Sequence, residues 1–194
     1  IGSGVSIATT KLAPTWRGLI KSGIERCQAL GSPAEWCQLI EGLLSLGHAD
    51  MLLAAAELVH TKLRESSGGE LARWLRDSFE MMQPEDPTVI QSLAEFNIPL
   101  ATTNYDDLIE KVTGLKHVTW KDPRHVARFV RGDDRRVLHL HGHWDEPDSV
   151  VLGIRSYEKV KNDEHTQAVM RAFTIANSLL FVGCGEDGLA DPNF

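Results

Sequence analysis

Residues 137 to 147 read VLHLHGHWDEP and set His139, His141 and His143 at every second position. Histidine moves protons near neutral pH and also ligates metals, so this spacing could serve either chemistry. In an extended strand the three imidazoles would share one face. A metal frame is the weaker expectation, because Gly142 argues against a strand that reaches His143 and no cysteine or further histidine lies close by in the sequence. His141, followed by a glycine whose backbone can pack against a ligand, is the candidate for proton transfer. The plain alternative is a satisfied polar group at a strand end.

Three other stretches put distinctive residues where short apolar runs stop. Gly2-Ser3-Gly4-Val5-Ser6 would let the backbone turn tightly and approach a pyrophosphate, with the Ser6 hydroxyl adding a hydrogen bond; an ordinary glycine turn would look the same. Thr102-Thr103-Asn104-Tyr105-Asp106 follows IPLA, and Asn104 and Asp106 either bind ribose hydroxyls or an amide in a cleft or cap the helix after them. Gly183-Cys184-Gly185 follows LLFV. A turn that contacts a ligand is favoured there over a nucleophilic thiol, since Glu186 and Asp187 would oppose a thiolate.

These four ends converge if their strands lie parallel, because ligands of parallel α/β sheets bind beyond the carboxyl ends of the strands. From Ile98 onward IPLATTN, KHVTW, VLHLHG, SVVLG and SLLFVG read as strands. Helices are expected over YDDLIEKV and, unbroken, over SYEKVKNDEHTQAVMRAFTIA, with DPRHVARFV a helix or turn. From Pro14 to about Ala94 the chain reads as helices. Trp16, Leu19, Ile20, Gly23, Ile24 and Cys27 form one apolar stripe ending near Gly31. A second helix is expected to be capped by Ser32, with Pro33 at its first position, and closed by Gly47; a third spans HADMLLAAAELVHTKLRE. After the break at ESSGGE come LARWLRDSFEMM and DPTVIQSLAEFN. The expected fold class is α/β: a Rossmann-like, doubly wound parallel sheet with a helical insertion after the first strand. Residues 14–95 would be that insertion, and residues 1–13 with 96–194 the core of a single domain.

Composition narrows the function. The 194 residues are 42% hydrophobic, enough for one sizeable core, and carry a formal net charge of −7 with basic residues scattered among acidic ones. Direct nucleic-acid binding is therefore not expected. Cys27, Cys37 and Cys184 are widely spaced and include no C-x-x-C pair, which fits neither a disulfide framework nor a structural zinc site and points to a reducing, cytoplasmic compartment. No apolar run approaches the roughly 18 to 20 residues of a membrane span, and no signal-peptide pattern opens the chain. The opening IGSGVS reads as a strand end without an initiator methionine, so a piece of a longer protein is expected.

In this order, GSGVS, TTNYD, LHLHG and LLFVGCG resemble the sirtuin-like NAD-consuming family, from Gly2 to about Phe194. They correspond to its Gly-x-Gly-x-Ser loop, Thr-x-Asn-x-Asp segment, His-Gly strand end and late Gly-x-Gly turn. The resemblance implies that Gly2, Gly4 and Ser6 line the pyrophosphate and ribose of NAD+, with Ser3 in the place usually held by alanine and Val5 beside it. Asn104 and Asp106, with Thr103, would hold the nicotinamide ribose region. His141 would be the catalytic base, with Gly142 beside it, and His139 and His143 supports or surface groups. Gly183, Cys184 and Gly185 would pack near the adenosine half. Protein deacylases of the family carry a zinc module with two C-x-x-C pairs and an acidic-proline-phenylalanine-arginine segment; this sequence has neither, so no zinc is expected. It looks instead like the divergent branch of NAD hydrolases that act as effectors in antiphage defence, fused to or paired with a sensor and controlled by homo-oligomerisation.

Cleaving the nicotinamide–ribose bond builds positive charge on the sugar. The site must hold the ribose, release neutral nicotinamide and present a nucleophile. Asn104 can orient water or ribose without neutralising the centre, His141 can deprotonate the water directly or through a ribose hydroxyl, and Asp106 can stabilise the cationic sugar. An NAD+ glycohydrolase yielding nicotinamide and ADP-ribose, or a cyclised product, is the leading expectation. A protein deacylase and a catalytically silent NAD or ADP-ribose module controlling assembly are the alternatives.

Overall fold

The computed structural model describes residues 1–176 and 178–185. Helix α1 (Ser3–Thr9) starts directly after Gly2, earlier than the helical run expected from Pro14. Gly2 is extended and its amide donates to the Val182 carbonyl at 2.9 Å, while Val5 N donates back to Gly2 O at 3.0 Å, so the glycine stretch opens a helix. Helix α2 (Trp16–Ala29) is capped by the Thr15 hydroxyl, which accepts from Gly18 N. It buries Leu19, Ile20, Gly23, Ile24 and Cys27, the stripe its sequence periodicity predicts. Helix α3 (Ala34–Leu46) ends on Gly47 at φ 73°, as expected, but Pro33 occupies its cap position. Ser32 sits one residue too early to cap, and its buried Oγ makes no hydrogen bond among the described residues. Helices α4 (Ala49–Glu65), α5 (Glu70–Phe79) and α6 (Thr88–Glu95) complete the helical run, and α2, α3 and α4 pack against one another.

The second half builds the sheet. Strands β1 (Leu100–Thr102), β2 (Lys116–Thr119) and β3 (Arg136–His139) run parallel in the order β1-β3-β2, with Thr102 and Thr119 both opposite His139. Helix α7 (Leu108–Thr113) connects β1 to β2, and α8 (Pro123–Val130) connects β2 to β3, the crossovers that parallel pairing demands. This is a small parallel sheet flanked by helices, consistent with a Rossmann-like core. Ile1 extends it by backbone contacts: its amine donates to Ala101 O at 2.8 Å and its carbonyl accepts from Thr103 N at 3.1 Å.

Three expected elements differ. SVVLG forms no strand; its Ser149 ends a 3₁₀ turn (Pro147–Ser149) and Val151 N donates to His141 O at 2.8 Å. SLLFVG is likewise unassigned to a ladder; Val182 O accepts from Gly2 N and Gly183 O from Gly4 N, both at 2.9 Å. SVVLG meets its burial requirement as irregular chain, with Val150, Val151 and Leu152 buried, whereas Leu179, Leu180 and Phe181 of SLLFVG are exposed. The long helix over residues 156–176 is two, α9 (Ile154–Asn162) and α10 (Glu164–Ala176), broken at Asp163. Asp163 is extended and its Oδ1 accepts from Thr166 N at 2.7 Å, so the aspartate starts a new helix rather than continuing the old one.

Successive residues of β3 are buried in different cores. Val137 joins the large core shared with the helices, whereas Leu138 joins Val118, Val126 and Phe129 under α8. Successive side chains of a strand point to opposite faces, so both faces of the sheet are covered.

Candidate functional site

The glycine stretches at the two ends of the chain interlock. Gly4 N donates to Gly183 O at 2.9 Å, and a Cβ added at Gly2 or Gly4 would lie 2.7 or 2.9 Å from that same carbonyl. Gly183, at φ 68°, would in turn bring a Cβ within 2.6 Å of Val5 N. These glycines are needed for each other, and the amides of Gly2 and Gly4 are already spent on residues 182 and 183. Cys184 stays near this contact, half-buried, its Sγ 3.8 Å from Val182 O.

Asn104 stands at the centre of the described polar groups. β1 ends at Thr102, whose hydroxyl accepts from Asn104 N at 3.0 Å and turns the chain inward. Asn104 Nδ2 donates to Gly2 O at 3.1 Å and to Ser6 Oγ at 2.8 Å. Ser6 Oγ donates onward to Asp106 Oδ2 at 2.7 Å, and Asp106 Oδ1 accepts from Leu108 N at 3.2 Å. Helix α1, the turn after β1 and the start of α7 are thus joined through Ser6, Asn104 and Asp106, all buried. Asp106 thus accepts from the first amide of α7, one residue ahead of Asp107 at the cap position, and also belongs to this polar cluster. Burial pushes its carboxyl above the usual range, and the Ser6 and Leu108 hydrogen bonds oppose that shift.

The three histidines do not share a strand face. His139, the last residue of β3, is fully buried, with Nδ1 2.9 Å from Asn104 O and Nε2 2.8 Å from Glu110 Oε1. His141 lies beyond the strand and meets the Tyr157 ring edge-on at 5.4 Å. Gly142 turns the chain at φ 86°, and a Cβ there would collide with the backbone and hydroxyl of Ser149. Ser149 and the positive φ both require glycine at this position. Gly142→Ala is expected to cost about 2 to 4 kcal/mol, from the positive φ and the collision together. That is a fall of roughly 5 to 15 °C in melting temperature, readable by circular dichroism; an unchanged midpoint would show that Ser149 yields.

His143 is buried rather than at the surface, stacked on His117 with ring centres 4.0 Å apart and 4.9 Å from His139. Burial, then the neighbouring His139 and His117, lower its pKa to about 2, so it is neutral at physiological pH. His117 and Glu110 join this neighbourhood from β2 and α7, and no local pattern marks them, because their partners are distant in sequence. A cavity of about 460 Å³ borders this cluster, lined by Glu110, His117, Thr119, His143, Trp144 and Glu146 among others. Despite five histidines in the stretch from His117 to His143, no group of three or more His, Cys, Asp or Glu among the described residues is placed to hold a metal ion.

Residues 99–194 match the SIR2-like domain family. A SIR2-like domain is present in this chain. Asn104, Asp106, His141 and Gly183 all fall inside the matched stretch, whereas Gly2 to Ser6 and helices α2 to α6 precede it. A SIR2-like domain binds NAD+ and supports an NAD-utilising enzymatic function in general. Among the described residues no helix is long and apolar enough to cross a membrane.

Proposed function

We propose that this SIR2-like domain is an NAD+ glycohydrolase that splits NAD+ into nicotinamide and ADP-ribose, with a cyclised sugar product as a second outcome. The reading is carried by the Ser6–Asn104–Asp106 cluster, three buried polar side chains beyond a parallel sheet, of which Asn104 and Asp106 lie in the SIR2-like stretch. Asn104 spends both amide hydrogens on Gly2 and Ser6, which leaves Oδ1 to accept from a water or a ribose hydroxyl. Asp106 offers negative charge to the developing cationic sugar in a low-dielectric setting. His141 is the base that deprotonates the attacking water. Ser3, Val5, Thr103, Gly142, Cys184 and Gly185 lie in the same segments as the binding residues. Hydrolysis is favoured over deacylation because no cysteine stands between His141 and Gly183 to build a zinc module. The same reading makes residues 14–95 a helical insertion in a Rossmann-like core, and gives the protein a cytoplasmic role as an oligomeric, sensor-controlled effector that depletes NAD+ in antiviral defence.

Asn104→Ala tests the cluster. It removes two hydrogen bonds and leaves Gly2 O and Ser6 Oγ short of a donor, at about 2 to 3 kcal/mol. Nicotinamide release is expected to fall by at least about a hundredfold, the scale of a lost preorganised polar group. Release within a few-fold of the parent, from a folded variant, would remove Asn104 from the chemistry.

A further inference from the structure

We infer that Glu110 and His139 form a buried carboxylate–imidazolium pair that positions Asn104. Each nitrogen of His139 faces an oxygen: the Asn104 carbonyl at 2.9 Å and a Glu110 carboxyl oxygen at 2.8 Å. A carbonyl cannot donate, so Nδ1 carries a proton. The second contact is a charge-assisted bond if Nε2 carries one as well, and the ring is then doubly protonated. Glu110 Oε2 makes no hydrogen bond among the described residues, so His139 is the one side chain that holds this carboxylate by a hydrogen bond.

The pair spans the sheet. Glu110 comes from α7, His139 from β3 and Asn104 from the turn after β1, so the pair ties the Asn104 backbone to two other elements. A buried ion pair is a poor device for stability, since an apolar pair of similar size is often as stable, but it fixes geometry well. Its charge also reaches past Asn104: His139 favours the anionic form of Asp106, against the effect of burial and of Glu110. Asp106 is the terminal acceptor of the Asn104 to Ser6 to Asp106 chain, and the anionic form accepts the Ser6 hydroxyl more strongly than a neutral carboxyl would. The groups facing the His139 ring are Glu110 from α7, Asp106 ahead of α7, His117 from β2 and His143 beyond β3. His143 is neutral at physiological pH, so it adds no positive charge beside the imidazolium.

The positioning role rests on the chemistry proposed for Asn104, whereas the protonation of His139 does not. Nuclear magnetic resonance of the protein labelled with ¹⁵N at histidine and asparagine tests both without needing turnover. His139, assigned through its contacts to the His117 and His143 rings, is expected to show both ring nitrogens protonated at pH 7. Glu110→Gln, which keeps shape and lets the ring be neutral, is expected to convert it to the Nδ1–H form. The same variant should raise the exchange rate of the Asn104 side-chain amide hydrogens about tenfold or more and lower kcat for NAD+ cleavage by about tenfold with KM little changed, as a small misplacement of a reacting group does. A singly protonated His139 in the parent protein overturns the pair, even if Glu110→Gln does not fold. Unchanged Asn104 exchange in a folded Glu110→Gln overturns the positioning role. A parent protein that leaves NAD+ intact while His139 shows both protons defeats the glycohydrolase reading and leaves the pair standing.

Discussion

His141→Gln is expected to slow nicotinamide release by about 10² to 10⁴-fold, the contribution typical of a positioned base, with the fold retained. Glutamine keeps comparable bulk against the Tyr157 ring and a polar end, yet it cannot take a proton at neutral pH. The bond that anchors this part of the chain, from Val151 N to His141 O, is made by backbone and survives the change. Rate and stability should therefore separate. Steady-state release of nicotinamide, read beside a thermal melt, checks both; a variant within threefold of the parent rate would take the base role away from His141.

Acid should destabilise the protein through His143. Its folded pKa, about 2, lies below the unfolded value of 6.5, so the folded state binds fewer protons than the unfolded one between those limits. The stability that neutral His143 allows is present above pH 6.5 and is lost as pH falls towards the folded pKa. The loss approaches about 1.4 kcal/mol for each pH unit below 6. Buried His60, also shifted down by burial, adds slope of the same sign. His143→Phe keeps a flat ring against His117 and abolishes this titration, at the loss of a 3.4 Å acceptor contact from Asp145 N. Urea unfolding at pH 7 and pH 5 is expected to show the parent losing about 1 to 2 kcal/mol more than His143→Phe over that interval. Equal losses would mean that His143 accepts a proton in the folded protein.

The helices were legible where a periodic apolar stripe decides the structure. The stripe of α2 and the stop at Gly47 both follow from residues within one or two turns. The break at Asp163 was hidden because the charged sequence around it supports a helix on either side, and only the Asp163 cap on Thr166 selects two. SVVLG misled because burial and backbone pairing are separate demands: Val151 and Leu152 are fully buried without forming a ladder. In the candidate site, Ser6, Asn104 and Asp106 stood out as polar residues just after apolar runs, and the structure brings them into one hydrogen-bonded cluster. Glu110 escaped notice because it looks like one more acid on a short amphipathic helix, and its partner His139 lies 29 residues away. The alternating histidines suggested a shared strand face. Gly142, pressed against Ser149, instead sends His141 towards Tyr157 and His143 towards His117.

The most direct test is the product balance when the protein is incubated with NAD+ and no acyl-lysine peptide. The account predicts one nicotinamide released for each NAD+ consumed, with ADP-ribose or its cyclised form as the partner product, and none above background from His141→Gln. Nicotinamide that appears only when an acyl-lysine peptide is supplied, or NAD+ that is bound and returned intact, would contradict it.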